Sequence, residues 1–166
     1  MFNVVLVEPE IPPNTGNIGR LCLATQSTLH LVEPLGFDIS DRQLQRAGLD
    51  YWKEVDVRLW KSFRELQEAQ GETARYFFLT TKTSDAYHSA CFQPGDFLVF
   101  GRETKGLPEP LLHENASQLL TIPMHARAAS TWRRRLRSCF SKQCGRIRAT
   151  RSIDCRNCSA APWLNK

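Results

Sequence analysis

Short apolar runs alternate with segments of helical periodicity through the first 124 residues of the chain. Six runs have the length and the β-branched or aromatic content of buried strands, at residues 3–7, 28–32, 55–59, 76–80, 96–101 and 119–123. Helical spacing predicts helices from residue 17, over 41–47, over 62–69 and from 108. Strands that alternate with helices predict an α/β fold, with a mainly parallel sheet flanked by helices.

Three prolines interrupt this pattern between the first strand and the first helix. Residues 8–16 therefore predict a loop, because proline excludes a regular element. Glycine lets a backbone approach a ligand closely, and the N–H groups at a helix N-terminus favour an anion such as an RNA phosphate. Arg20, one turn into the predicted helix, could reach that phosphate or a ribose hydroxyl. A plain helix cap with a surface arginine fits the same pattern.

A second candidate segment follows the strand predicted at 96–101. Gly101 and Gly106 flank a turn that holds one acid, Glu103. Ligands of open α/β sheets bind at the carboxyl ends of the strands, so these glycines could let the backbone contact an adenine or a ribose. An ordinary strand–turn–helix link fits as well. The last strand, ending near Ile122, should lead into another ligand loop.

Together these segments resemble the SPOUT class of RNA methyltransferases, and more closely the family that 2′-O-methylates the wobble nucleotide of tRNA. The resemblance covers nearly all of residues 1–124. Its runs are EPEIPPNTGNI at 8–18, RLC at 20–22, LVEPLGF at 31–37, RAGLDY at 46–51, LTTK at 79–82, FGRETKGL at 100–107 and IPM at 122–124. One departure is Gln26, where the family usually has a glycine after its first helix.

The resemblance implies a fold, a reaction and a set of site residues. The implied fold carries a trefoil knot in its C-terminal segment and forms a homodimer. The implied reaction is S-adenosylmethionine-dependent 2′-O-methylation of the cytidine or uridine at tRNA position 34, with no metal. By the same resemblance, the cofactor site would be lined by Leu79, Gly101, Ile122 and, with a less defined role, Glu103. Asn14 and Arg20 would serve the ribose and phosphate, with Arg20 helping to activate the 2′-hydroxyl.

The apolar content and the N-terminal residues predict where the protein is located. The chain has no apolar stretch of 18 residues, and its N-terminus lacks the basic region and cleavage site of a signal peptide. A soluble, cytoplasmic protein with no membrane partner is therefore expected. Two other readings stay open: a SPOUT enzyme acting on another tRNA or rRNA site, and a non-catalytic RNA-binding protein that keeps the fold.

The charge of the chain reverses after Met124. Residues 1–124 carry 11 Lys and Arg against 16 Asp and Glu, a formal charge of −5, whereas residues 125–166 carry 11 Lys and Arg against one acid, a charge of +10. The chain therefore divides into a methyltransferase domain, 1–124, and a basic tail, 125–166, that is rich in cysteine and arginine. The third motif that the family shows soon after Ile-Pro-Met, Arg-Ser-Leu-Asn-Leu, is missing from the tail.

A shifted reading frame could account for the tail. The genetic code permits residues 127–132 to be encoded by CGC GCA GCC TCA ACC TGG, and reading these codons from the third base of the first gives Arg-Ser-Leu-Asn-Leu. In the same frame, the codons of residues 132–146 permit Ala-Thr-Ala-Ala-Ala-Val-Val-Leu-Phe-Glu-Ala-Val-Arg-Gln, which restores an amphipathic helix. The hypothesis is a frameshift near codons 125–127, which would disrupt the knot and impair cofactor binding and dimerisation.

Two other interpretations of the tail compete with the frameshift. Four cysteines, Cys139, Cys144, Cys155 and Cys158, could be zinc ligands, although only the Cys-x2-Cys half has suitable spacing. The arginines could instead form a basic arm that binds RNA.

Overall fold

A computed structural model describes residues 1–38 and 50–123 of the chain. The helix predicted over 41–47 lies outside the described residues. So do the knot segment, the zinc ligands and everything else predicted for residues after 123.

Six parallel strands form one sheet. They are β1 (Asn3–Val7), β2 (Thr28–Val32), β3 (Val57–Trp60), β4 (Tyr76–Leu79), β5 (Phe97–Phe100) and β6 (Leu119–Leu120). Their order across the sheet is β3-β2-β1-β5-β4-β6, and every adjacent pair runs parallel. The predicted α/β fold with a mainly parallel sheet is confirmed. The predicted bounds of β1 and β2 are correct, whereas β4, β5 and β6 are shorter than predicted.

Helices cover both faces of the sheet, which explains why strands β1, β4 and β5 in its interior are almost wholly apolar. Helix α1 (Pro12–Thr25) packs on one face, where Ile18 and Cys22 join Val4 and Leu6 of β1 in one buried cluster. Helices α2 (Phe63–Gln70) and α3 (Glu109–Glu114) pack on the other face. Short 3₁₀ helices at Asp50–Glu54, Tyr87–Ser89 and Ala116–Gln118 complete the described elements.

The start of α1 corrects the sequence-based prediction of a loop over residues 8–16. The helix begins at Pro12, five residues before the predicted start. Pro12 and Pro13 occupy its first two positions, where a backbone N–H has no helical partner and the fixed φ of proline suits the helix. The next two amides, of Asn14 and Thr15, donate to the Ile11 carbonyl. The predicted use of first-turn N–H groups for a phosphate is therefore wrong, because the prolines have none and the next two are bonded.

The other helix ends follow local rules more closely. Ser62 caps α2 as predicted, since its hydroxyl accepts from the Glu65 N–H at 3.1 Å. The Glu65 carboxylate reaches back to the Lys61 N–H, at 2.7 Å, rather than to that of Ser62. Gln26 ends α1 with φ 54° and ψ 40°, the left-handed conformation that glycine adopts most easily.

Strand β3 begins two residues later than predicted. The 3₁₀ helix at Asp50–Glu54 occupies the approach to the strand, and the Val55 N–H donates to the Trp52 carbonyl. Val55 is buried in the cluster under α1 rather than paired in the sheet. Hydrophobicity alone could not separate these two ways of burying the residue.

Candidate functional site

Three strand ends bring the predicted cofactor residues to one edge of the sheet. Leu79, the last residue of β4, is in register with Phe100 of β5 and with Leu120 of β6. Because the strands are parallel, Leu79, Gly101 and Ile122 all lie at the carboxyl edge. Leu79 and Ile122 are partly buried and pack against the same apolar cluster. This is the edge at which open α/β sheets bind ligands.

The turn after β5 requires its two glycines for different reasons. Arg102 and Gly106 exchange backbone hydrogen bonds of 3.1 and 3.0 Å, which close the turn. A Cβ on Gly101 would lie 2.2 Å from the Gly106 carbonyl carbon, so no side chain fits there. Gly106 has φ +72° and open space around it, so its requirement is conformational. The two glycines therefore let the turn fold tightly on its own backbone at the carboxyl end of β5.

Glu103 joins this turn to the start of α1. Its carboxylate accepts from the Glu10 backbone N–H at 2.8 Å and from Asn14 Nδ2 at 3.2 Å. The Glu10 carboxylate reciprocates, accepting from the backbone N–H of Thr104 at 3.1 Å and from its hydroxyl. Of the predicted site residues, Asn14 and Glu103 thus contact each other directly. The sequence analysis missed Glu10 and Thr104, whose only signal was membership of the two matching runs.

A second link runs parallel to the first. Arg102 pairs with Glu8, whose carboxylate is mostly buried. Glu8 has φ +52°, a conformation rare outside glycine, and it turns the chain out of β1 toward α1. Together these contacts hold the segment before α1 against the turn after β5, which lies about 94 residues further along the sequence. We call the six residues that make these contacts the loop clamp. They are Glu8, Glu10, Asn14, Arg102, Glu103 and Thr104.

Arg20 differs from the other arginines that the structure describes. Each of the other four pairs with a carboxylate; the pairs are Arg58–Asp56, Arg64–Glu68, Arg75–Asp96 and Arg102–Glu8. Arg20 is exposed, and no hydrogen bond or ion pair joins its side chain to another residue of the described ranges. Its guanidinium carbon instead lies 4.6 Å from the centre of the Tyr51 ring. Its N–H donors are therefore available to an anion from solution.

The structure does not bring Arg20 to the loop clamp. Arg20 follows Asn14 by six residues of α1, which separates them by about 9 Å along the helix axis and roughly 120° around it. The two predicted RNA-facing residues therefore occupy different sides of α1. Asn14 faces the turn after β5, and Arg20 faces the 3₁₀ helix at Asp50–Glu54.

Residues 1–38 and 50–123 contain no group of three His, Cys, Asp or Glu side chains placed to hold a metal ion. Within the same part of the chain, no helix combines the length and the hydropathy needed to cross a membrane.

Several known proteins resemble this chain in sequence. Residues 1–131 match the SpoU rRNA Methylase family. The chain is 48% identical over 126 residues to a tRNA (cytidine(34)-2′-O)-methyltransferase of Burkholderia pseudomallei (strain 1106a). This alignment covers 75% of this chain and 81% of the relative. It is 49% identical over 125 residues to the enzyme of the same name from Escherichia coli (strain K12), with coverages of 75% and 79%.

Solved structures share the fold. One, described as giving insight into the 2-OH methylation of C/U34 on tRNA, superposes with a TM-score of 0.80 at 39% identity, over 90% of this chain and 97% of that chain. The SpoU methyltransferase AviRb from Streptomyces viridochromogenes, in complex with the cofactor AdoMet, superposes with a TM-score of 0.74 at 18% identity, over 89% and 58%. At that identity the likeness concerns the fold alone.

Proposed function

We propose that this chain, which belongs to the SpoU rRNA Methylase family, transfers a methyl group from S-adenosylmethionine to the ribose 2′-oxygen of the cytidine or uridine at position 34 of tRNA. The family membership and the wobble-nucleotide relatives at 48–49% identity support the reaction. The observation in the structure that carries the proposal is Arg20, the one described arginine without a carboxylate partner.

The carboxyl edge of the sheet fits an adenosyl group. Leu79 and Ile122 offer partly buried aliphatic surface, which suits a purine ring. The turn closed by Arg102 and Gly106 follows β5 at the same edge of the sheet, and it is held in one conformation by the backbone bonds between these two residues. When bound, S-adenosylmethionine supplies an electrophilic methyl on a sulfonium, so the protein has to position the acceptor and assist its deprotonation.

Arg20 is proposed to act on the acceptor. A ribose 2′-hydroxyl is a weak nucleophile, and a guanidinium beside its oxygen stabilises the alkoxide character that develops as the proton leaves. A carboxylate partner would neutralise that effect, and Arg20 has none within the described ranges. Asn14 is proposed to act on the RNA from a fixed position, because its Nδ2 is held by Glu103.

Labelled methyl transfer tests these roles. Wild-type chain in excess over bulk tRNA, with methyl-labelled S-adenosylmethionine, should label the tRNA in a single turnover. Arg20→Ala should lower the rate about 100-fold, since it removes a donor to the developing oxyanion. Arg64→Ala, which removes an equally exposed arginine paired with Glu68, should leave the rate unchanged. Equal losses in both variants would contradict the assignment of Arg20.

The family description favours a second substrate, ribosomal RNA. The same assay with purified ribosomal RNA separates the two. Label in ribosomal RNA and none in tRNA would replace the wobble-nucleotide proposal with a SPOUT enzyme of another site. RNA binding without label in either RNA would favour a non-catalytic RNA-binding protein.

We also propose that residues 125–166 are read in a shifted frame and that the family's third motif and final helix are encoded beneath them. The family match ends at residue 131, close to the reversal of charge, which supports this proposal. Resequencing codons 120–150 tests it: a string like CGCAGCCTCAAC near codon 127 would support the frameshift, and its absence would refute it. The frame-restored chain should methylate faster than the chain as written.

A homodimer and a cytoplasmic location complete the proposal. Both follow from the resemblance to tRNA-modifying enzymes of this family. Light scattering coupled to size-exclusion chromatography should give a dimer for the frame-restored chain. A monomer at tens of micromolar would contradict that part of the proposal.

A further inference from the structure

The 3₁₀ helix at Asp50–Glu54 packs on α1 beside Arg20. Trp52 lies against Gly19 so closely that a Cβ on Gly19 would come within 2.8 Å of the Trp52 ring. The same Cβ would lie 3.7 Å from a methyl group of Val55, which follows this 3₁₀ helix and belongs to the apolar cluster. The small residue at position 19 thus allows the aromatic pair Tyr51 and Trp52 to approach the backbone of α1.

Tyr51 is fixed to α1 at two points. Its hydroxyl donates to the Gly16 carbonyl at 2.7 Å. That carbonyl lies one helical turn before Arg20, at the position whose oxygen accepts from the Arg20 N–H in a regular α-helix. The ring of Tyr51 meanwhile lies 4.6 Å from the Arg20 guanidinium carbon. The Tyr51 hydroxyl thus holds the ring against α1, and the face of the ring contacts the Arg20 guanidinium.

This arrangement restricts Arg20 without neutralising it. An exposed arginine samples many rotamers, and ordering it on a ligand opposes binding. A carboxylate would order the side chain but would also occupy its donors and offset its charge. An aromatic face attracts a guanidinium while leaving the in-plane N–H groups free.

We propose that Tyr51 is a positioning residue for Arg20, holding the guanidinium ready for the RNA ribose–phosphate. This inference rests on the proposed role of Arg20. It predicts that the ring matters more than the hydroxyl, because the ring makes the direct contact and the hydroxyl only secures the ring. It also predicts that Tyr51 has no effect on methyl transfer once Arg20 is removed.

A double-mutant cycle on the full chain tests the inference. Single-turnover methylation of bulk tRNA is measured for wild type, Tyr51→Phe, Tyr51→Leu, Arg20→Ala and the combination of Tyr51→Leu with Arg20→Ala. Tyr51→Leu should lower the rate about fivefold, and Tyr51→Phe about twofold or less. In the Arg20→Ala background, Tyr51→Leu should change the rate less than twofold. An equal fivefold loss in both backgrounds would assign Tyr51 to general folding and overturn the inference.

Arginine side-chain NMR supplies a readout that needs no activity. In wild type and Tyr51→Phe, the δ protons of Arg20 should be shifted upfield by the ring; in Tyr51→Leu they should return to random-coil values. Unshifted wild-type protons would overturn the inference whatever the rates. A frame-restored chain that labels no RNA would contradict the proposed function, while the NMR signal of the chain as written would still decide whether the ring holds Arg20.

Discussion

Lowering the pH should destabilise the fold through His30, a fully buried histidine of β2. Trp60 Nε1–H donates to His30 Nδ1 at 3.0 Å, and an indole nitrogen can only donate. Nδ1 therefore carries a lone pair and Nε2 carries the proton, which points at Asn3 Oδ1 at 3.2 Å. Protonation of Nδ1 would set two N–H groups against each other in the interior.

The direction and size of the effect follow from this geometry. Burial, with a smaller contribution from the nearby Arg58, lowers the pKa of His30 from 6.5 to about 4. A histidine whose pKa is lower in the folded state contributes stability that is present above pH 6.5 and is lost as the pH falls toward 4. Linkage gives a loss of about 2 kcal/mol between pH 7 and pH 5. That is a large share of the roughly 5–15 kcal/mol that stabilises a domain.

Urea unfolding at pH 7, 6 and 5 measures this loss. His30→Gln is the control, because an amide can accept from Trp60 and donate to Asn3 but does not titrate in this range. The variant should be less stable than wild type at pH 7 and should lose about 2 kcal/mol less than wild type on going to pH 5. Carboxylates that titrate in the same range contribute to both proteins and cancel. Parallel curves for the two proteins would refute the argument.

Three further substitutions test single positions. Gln26→Gly should raise the free energy of unfolding by about 1 kcal/mol, because glycine adopts φ 54° without strain; urea unfolding beside Gln26→Ala, which should gain nothing, checks this. Gly101→Ala should abolish cofactor binding in calorimetry, since its Cβ would lie 2.2 Å from backbone. Its control is Gly71→Ala, which has open space but φ 75° and ψ 177°; it should lose about 1–3 kcal/mol of stability and keep binding. Glu103→Gln should lower stability by about 1–2 kcal/mol and slow methyl transfer, because one of its two N–H partners would face an amide donor; an unchanged rate would show that the loop clamp does not serve catalysis.

The strands and helix caps that are determined by residues close together in the chain could be predicted from the sequence. β1 and β2 are short runs dominated by leucine and valine, with only His30 interrupting the run in β2, and the Ser62 cap of α2 depends on a residue three positions away. The start of α1 was missed because proline was treated as a helix breaker, although it is favoured at the first positions of a helix.

The contacts that build the site could not be derived from local pattern. Glu10 and Thr104 are 94 residues apart, and no periodicity relates them. The ring that holds Arg20 belongs to a short 3₁₀ helix that follows β2, and only the folded chain places Tyr51 beside α1. Resemblance to a family predicted which residues belong to the site; the structure places Asn14 and Arg20 on different sides of one helix.

Nuclease digestion and mass spectrometry of tRNA treated with the frame-restored chain and S-adenosylmethionine show which atom of the RNA receives the methyl group. We expect a 2′-O-methylated cytidine or uridine at position 34, nearly absent when that chain carries Arg20→Ala. A methyl group on a base, or on a ribose at another position, would contradict the proposed function.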